Sequence, residues 1–146
     1  MLRTLVVVDV QPDYVDDGAP YMDRIVKLVS QFKEYGNPII LLEYGFDQAG
    51  TVKVVKDAVG AYRHCVTVRK DGLCGGREVI EECKGHQWPL DFLLCGVAYN
   101  CCVQETADTL AEQYLVEVAL DCTDAGSDGW RGGPRVIVTR QFEEAA

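Results

Sequence analysis

The stretch "DFLLCGVAYNCCVQETADTLAEQYLVEVALD", residues 91–121, joins two short apolar runs through a segment with helical periodicity. The runs, 91–98 and 115–121, are almost continuously apolar, which is typical of strands buried on both faces of a parallel sheet. Between them, apolar residues recur at helical spacing, at Val103, Ala107, Leu110 and Tyr114. The stretch therefore predicts two parallel strands connected by a helix.

The same alternation of strand and helix extends over the rest of the chain. Four more apolar runs of similar character occupy residues 5–10, 38–44, 65–70 and 135–139. Helical patterns separate most of them, and one begins at Pro20, a residue suited to a first helical turn. We predict a single domain over residues 1–146, a doubly wound (Rossmann-like), three-layer α/β/α fold with a mainly parallel sheet of five to six strands.

Composition and charge restrict the classes of partner. The 146 residues are 48% hydrophobic and 25% charged, a size and composition for which one core suffices. A net charge of −9 opposes nucleic acid or an anionic membrane as the main partner, and solubility is the simplest explanation of it. The opening apolar run is too short for a membrane span and lacks a cleavage site, so we expect a cytoplasmic protein with seven reduced cysteines.

Three polar residues stand where predicted strands end or have just ended: Asp9, Lys70 and Cys102. In open α/β sheets the ligand crevice lies beyond the carboxyl ends of the strands, so these side chains are expected at one edge. An Asx turn at Asp9 and a solvated lysine at position 70 are the structural alternatives. A thiol, a carboxylate and an ammonium together favour nucleophilic catalysis.

Two adjacent thiols, Cys101 and Cys102, open the fourth predicted helix. Asn100 is a candidate N-cap, which would place both in the first turn, where unpaired N–H groups and the helix dipole favour a thiolate. Adjacent helical residues point about 100° apart, so both cannot face one substrate atom.

These residues resemble the cysteine hydrolases of the isochorismatase-like superfamily, which includes nicotinamidases and N-carbamoylsarcosine amidohydrolases. The resemblance rests on "LVVVDVQPDY" (5–14), "VTVRK" (66–70) and the block from residue 93 to residue 125. The family's pattern of Gly-Val, four residues, then Cys-Val places the nucleophile on Cys102 and leaves Cys101 at a variable position.

The resemblance also implies a mechanism of acyl transfer through a thioester. Cys102 would attack a carboxamide or ureido carbonyl, Asp9 would move protons, and Lys70 would hold the ion pair. The N–H groups of Ala98 and Cys102 would form an oxyanion hole after a cis Val97–Ala98 bond. Candidate substrate-binding residues are Gln11, Tyr14, Phe46, Leu73 and Trp130.

The chain also departs from the family it resembles. Nicotinamidases carry an Asp-x-His pair and a further His as a metal site, whereas the matching segment has only Asp47 and a distant His64. We therefore predict no metal and no cofactor. The segment after Lys70, "DGLCGG" (71–76), differs from the family and neighbouring connections are short, so another subunit could complete the pocket, and we expect a homo-oligomer.

Other cysteine chemistries lack their motifs. A phosphatase loop needs an arginine six positions after the cysteine, where Asp108 follows Cys102, and neither C-x-x-C nor G-x-G-x-x-G occurs where it is needed. The alternative from another class is a catalytically silent member of this fold that binds a small molecule or a partner protein.

Overall fold

One parallel sheet runs through the protein, whose computed structural model describes residues 1–46, 49–125 and 129–142. All neighbouring strands pair in parallel, in the order β3-β2-β1-β4-β5-β6. The strands are β1 (Thr4–Val8), β2 (Ile39–Tyr44), β3 (Cys65–Lys70), β4 (Asp91–Gly96), β5 (Leu115–Thr123) and β6 (Val136–Thr139). The predicted fold class is confirmed, and the sheet has six strands.

Helices cover both faces of the sheet. They are α1 (Pro20–Glu34), α2 (Lys53–Val59), α3 (Gly76–His86) and α4 (Gln104–Ala111), and a π-helical turn (Tyr99–Val103) leads into α4. Strand β1 shows why two layers are needed, because Leu5 and Val7 pack in the core with α1 and α2 while Val6 and Val8 pack in the core with α3 and α4. A strand buried on both faces has no polar alternation, as its sequence indicates. None of the described helices is long and apolar enough to span a membrane.

The chain changes winding direction between β1 and β4, the two central neighbours. Their ends approach so closely that only glycine fits at position 96, where φ is +114° and a Cβ would lie 2.2 Å from the Val8 carbonyl oxygen. The segments leaving β1 and β4 therefore start side by side, at the switch point where doubly wound sheets bind ligands.

Candidate active site

The three strand-end residues predicted from the sequence converge at the switch point. Asp9 follows β1 with a positive φ of 53° and is 3% exposed, Lys70 ends β3 and is 0% exposed, and Cys102 lies in the π-helical turn and is 7% exposed. Lys70 Nζ donates a hydrogen bond to Asp9 Oδ2 at 3.1 Å. Asp9 and Cys102 line the same pocket. The alternative of a solvated lysine is therefore wrong.

Lys70 has to cross β2 to reach Asp9, since β3 and β1 are separated by two strand spacings, or about 10 Å. Its ammonium also donates to the Gly72 carbonyl at 2.9 Å and lies 4.8 Å from the centre of the Tyr44 ring. The methylene chain of the Lys70 side chain needs room as well, because a Cβ on Gly75 would approach Lys70 Cδ to 2.9 Å. The segment "DGLCGG" differs from the family, and it contacts the lysine through Gly72 at the ammonium and through Gly75 at the methylene chain.

This 71–76 segment is fixed to α4 by hydrogen bonds. The Cys74 thiol donates to Thr109 Oγ1 at 3.1 Å, and the Gly75 N–H donates to the buried Thr106 Oγ1 at 3.0 Å. Leu73, between them and Lys70, lines the pocket. The sequence predicted Leu73 as a pocket residue but gave no sign of these anchors.

Burial dominates the electrostatics of the site. Burial raises the pKa of Asp9, while the neighbouring Cys102 thiol and the Lys70 ammonium act against that rise. The pKa of Cys102 is raised to about 12, first by burial and then by the hydrogen-bond acceptor and negative charge of Asp9, with Lys70 opposing. The prediction of a lowered thiol pKa is therefore wrong, because burial and Asp9 both favour the protonated thiol.

The helix that carries Cys102 begins differently from the prediction. Asn100 lies inside the π-helical turn with φ −85° and ψ 15°, and no side-chain cap comes from the turn's own N-cap residue, Ala98. Asp124, which follows β5, accepts a hydrogen bond from the Tyr99 N–H at 2.7 Å through Oδ1. The prediction of Asn100 as the cap is wrong. The carboxylate that accepts from the first N–H of the turn belongs to Asp124, which follows β5.

Ala98 presents an unused donor to the pocket. The Val97–Ala98 peptide bond is cis, and Ala98 is among the lining residues. Its carbonyl accepts hydrogen bonds from the N–H groups of Cys101 and Val103, both at 3.1 Å. Within the described part of the chain, the Ala98 N–H itself has no acceptor. It is available to an anion in the pocket.

The pocket has a volume of about 290 Å³ and a largely aromatic and aliphatic wall. Its lining residues are Asp9, Tyr14, Tyr44, Leu73, Ala98 and Cys102. The sequence did not predict Tyr44 as a pocket residue. Tyr44 ends β2, the neighbour of β1, so the strand order would have indicated an aromatic residue beside Asp9. Its ring packs edge-on against Tyr14, with ring centres 6.4 Å apart.

Three other predicted substrate contacts lie outside this lining. Gln11 is fully buried, and its amide donates to the Tyr44 and Ala49 carbonyls while accepting from the Tyr44 N–H, so it positions Tyr44 instead. Phe46 is 73% exposed and packs on the outer side of Tyr44. Trp130 packs edge-on against Tyr99, with ring centres 5.6 Å apart.

The described residues do not fit a metal centre. His64 immediately precedes β3, at the opposite end of that strand from Lys70, and packs against Tyr62. Asp47 lies outside the described residues. Over ranges 1–46, 49–125 and 129–142, no three His, Cys, Asp or Glu side chains are grouped to hold a metal ion. No step of the chemistry below involves one.

The chain is similar to known proteins, both in its match to a family model and in its fold. The family model described as Isochorismatase domain matches residues 3–132. Among curated proteins, no similar sequence is found.

Solved structures share the fold at low sequence identity. A nicotinamidase from Staphylococcus aureus is 21% identical, with 84% of this chain and 85% of that chain covered and a TM-score of 0.72. A pyrazinamidase from Pyrococcus horikoshii, in complex with zinc, is 20% identical over 97% and 100% of the two chains, with a TM-score of 0.68. A ribonuclease from Caenorhabditis elegans is also 20% identical, over 84% and 64%, with a TM-score of 0.70. Such likeness concerns the fold, which hosts more than one activity.

Proposed function

Because the chain belongs to the isochorismatase domain family, as its match over residues 3–132 shows, we propose that it is a cysteine hydrolase of small amide or ureido compounds. One observation carries the proposal: Asp9, which pairs with the buried Lys70 at 3.1 Å, lines the switch-point pocket together with Cys102. A buried ion pair is weak evidence of stabilisation, so a role in chemistry is the better reason for it.

The first step is attack by a thiol that ionises only as it reacts. The pKa of Cys102 is raised to about 12, so the proton has to leave as sulfur bonds to the carbonyl carbon. Asp9 Oδ1 is buried and receives no hydrogen bond of ordinary geometry from the described residues, which leaves it able to accept that proton. Lys70 donates to Oδ2 and opposes the rise that burial causes in the pKa of Asp9, which favours the carboxylate form.

The tetrahedral intermediate places negative charge on the former carbonyl oxygen. The N–H groups of Ala98 and Cys102 stabilise this oxygen, and one such donor is typically worth about 10²–10³ in turnover. Asp9 then donates its proton to the leaving nitrogen as the carbon–nitrogen bond breaks. Ammonia or an amine departs, and a thioester remains on Cys102.

Water completes the reaction by a second attack at the same carbon. Asp9, again a carboxylate, takes a proton from the water, and the tetrahedral oxygen returns to the same N–H groups. The carbon–sulfur bond breaks, the acid leaves, and Cys102 regains its proton from Asp9. The overall change is amide plus water to acid plus ammonia or amine.

Ammonia release from a panel of small carboxamides and ureido compounds tests the proposal, with matched variants of the two adjacent cysteines. Cys102→Ala is expected to lose turnover by at least about 10³-fold, since no other group forms the thioester. Cys101→Ala, which removes the half-buried neighbour, is expected to remain active. Equal activity of wild type and Cys102→Ala, or loss confined to Cys101→Ala, would reject the assignment.

A silent member of the family that binds a small molecule in this pocket is the second candidate. The protonated state of the thiol in the absence of substrate favours it. Saturable binding of an amide with no ammonia release above the Cys102→Ala background would identify such a protein.

A further inference from the structure

Asp124 connects the end of β5 to the segment that carries the candidate oxyanion hole. Its side chain is exposed, yet Oδ1 accepts from the Tyr99 N–H at the short distance of 2.7 Å. Tyr99 is the first residue of the π-helical turn, and the N-cap residue of that turn makes no side-chain hydrogen bond. The carboxylate that accepts from this N–H thus lies 25 residues further along the chain, just after β5.

An irregularity of the sheet brings Asp124 to this position. The register between β4 and β5 runs from Leu94 opposite Val118 to Gly96 opposite Thr123, so β5 has three more residues than β4 over this interval. Bulges of this kind redirect a strand end and often lie beside active sites. Here the extra residues bring the end of β5 opposite the end of β4, close to the point where the chain leaves the sheet toward the π-helical turn at Tyr99.

The hydrogen bond from the Tyr99 N–H to Asp124 completes the restraint of one peptide unit. The Ala98 carbonyl is held by the N–H groups of Cys101 and Val103, and the N–H on the other side of the same peptide, that of Tyr99, is held by Asp124. A peptide plane fixed on both sides limits rotation of Ala98. The direction of the Ala98 N–H, which lies unbonded at the pocket, depends on that rotation.

We infer that Asp124 is a positioning residue, which acts through the Ala98–Tyr99 peptide to aim the oxyanion-hole N–H of Ala98 at the reacting carbonyl. The inference rests on the function proposed above. It concerns the hydrogen bond and not the charge, because the group that Asp124 holds is a neutral N–H. Asparagine, with the same acceptor oxygen, should therefore replace it.

Asp108 provides a matched control on the following helix. Its Oδ1 accepts from the Gly133 N–H at 2.5 Å, so a backbone amide again donates to a carboxylate, but outside the pocket lining. We expect Asp124→Ala to lower kcat by about 10- to 100-fold with KM nearly unchanged, since misaligned donors cost that much in turnover. Asp124→Asn should restore most of kcat, and Asp108→Ala should resemble wild type. Circular dichroism would verify that each variant is folded.

A probe that binds without turnover separates failure of this inference from failure of the proposed function. Benzaldehyde labelled with carbon-13 at its carbonyl would add to Cys102: the carbon–sulfur bond forms, the thiol proton moves to Asp9, and the carbonyl π electrons move to oxygen as an oxyanion. NMR of the adduct carbon measures its affinity, which Asp124→Ala should weaken about 10-fold or more. Asp124→Asn and Asp108→Ala should leave it close to the wild-type value.

The outcomes distinguish the two ideas. Wild-type kcat and adduct affinity in Asp124→Ala, with an active wild type, would overturn the inference alone. Equal losses in Asp124→Ala and Asp124→Asn would also overturn it, because charge would then be the operative property. Absence of a Cys102 adduct in the wild-type protein would reject the proposed nucleophile, and the inference with it.

Discussion

At the scale of single residues, burial makes the ionised form of the Asp9 carboxyl unfavourable for the stability of the fold. Because burial raises its folded-state pKa, the stability that this group contributes is greatest at low pH and is lost as the pH rises through the folded pKa. The same carboxylate raises the pKa of Cys102. Asp9 is therefore suited to act as a base that accepts the Cys102 proton during attack. The pair is not suited to holding Cys102 as a thiolate before the substrate binds.

Asp9→Asn should separate thiol ionisation from catalysis. Removing the negative charge should bring the pKa of Cys102 below about 12, because Lys70 then faces the sulfur without a competing carboxylate. Hydrolysis should nevertheless fall by about 10²–10⁴-fold, the usual contribution of a general base. The pH dependence of iodoacetamide modification at Cys102, read by peptide mass spectrometry beside ammonia release, measures both.

Asp57→Asn is a suitable control for that experiment, since it removes an exposed carboxylate paired with Lys53. It should change neither quantity. An alkylation profile of Asp9→Asn that coincides with wild type would contradict the interpretation of the thiol pKa.

The pH profile of hydrolysis should have its acid limb at Asp9. The base has to be ionised, so kcat/KM should fall as the pH decreases through an apparent pKa above the ordinary aspartate value of about 3.9. No rise near pH 8.5, where an ordinary thiol ionises, is expected, because burial and Asp9 raise the pKa of Cys102 to about 12. Initial rates across pH 4–10 with one substrate would test this, and a limb near 8.5 would speak for a preformed thiolate.

At the scale of elements, the 71–76 segment explains how β3, an edge strand, contributes a side chain to a site at the centre of the sheet. Lys70 leaves β3, passes over β2 and meets Asp9, while the segment that follows closes over its stem and ammonium. Gly75 is the point of closest approach, with a would-be Cβ only 2.5 Å from Leu42 and 2.9 Å from Lys70. The absence of a side chain there is a packing requirement.

Gly75→Ala is therefore expected to destabilise the fold and to displace Lys70. Overpacking of this kind typically costs about 1–3 kcal/mol, and hydrolysis should decline because the ion pair with Asp9 is disturbed. Gly85→Ala is the control, since a Cβ at this position in α3 meets nothing within 4 Å and alanine favours helix by about 0.5–1 kcal/mol. Urea unfolding midpoints of the two variants should move in opposite directions; a shift in the same direction would contradict the packing argument.

The sequence predicted elements better than it predicted atoms. Continuous apolar runs indicated the strands, and the strand-end rule brought Asp9, Lys70 and Cys102 to one edge, because both depend on periodicity and topology alone. The thiol pKa and the cap from Asp124 depend on which groups are buried together across 25 or more residues, and local patterns carry no such information. Gln11, predicted as a substrate contact, lies outside the pocket lining for the same reason, since its partners Tyr44 and Ala49 are more than 30 residues away.

At the scale of the whole molecule, one sheet is shared by two cores. Along β1 and β2, alternate residues enter the core with α1 and α2 or the core with α3 and α4, so neither helical layer can dissociate without exposing the same strands. The site lies between the layers, with Asp9, Lys70 and Cys102 each attached to a different strand. We propose on this basis that the chain is a single domain that unfolds in one step.

Ile25→Ala tests that proposal, because Ile25 is fully buried in the core with α1 and α2, whereas Trp88 reports from the opposite core. Removing a buried isoleucine side chain costs about 2–5 kcal/mol, which at an m-value of about 1–3 kcal/mol/M lowers the urea midpoint by about 0.7–5 M. If the sheet couples the cores, the midpoint from tryptophan fluorescence should fall by as much as the midpoint from circular dichroism. A fluorescence midpoint that stays at the wild-type value while the circular dichroism midpoint falls would mean that the two layers unfold separately. The three site residues would then be attached to units of different stability, and the pocket would be lost before the fold.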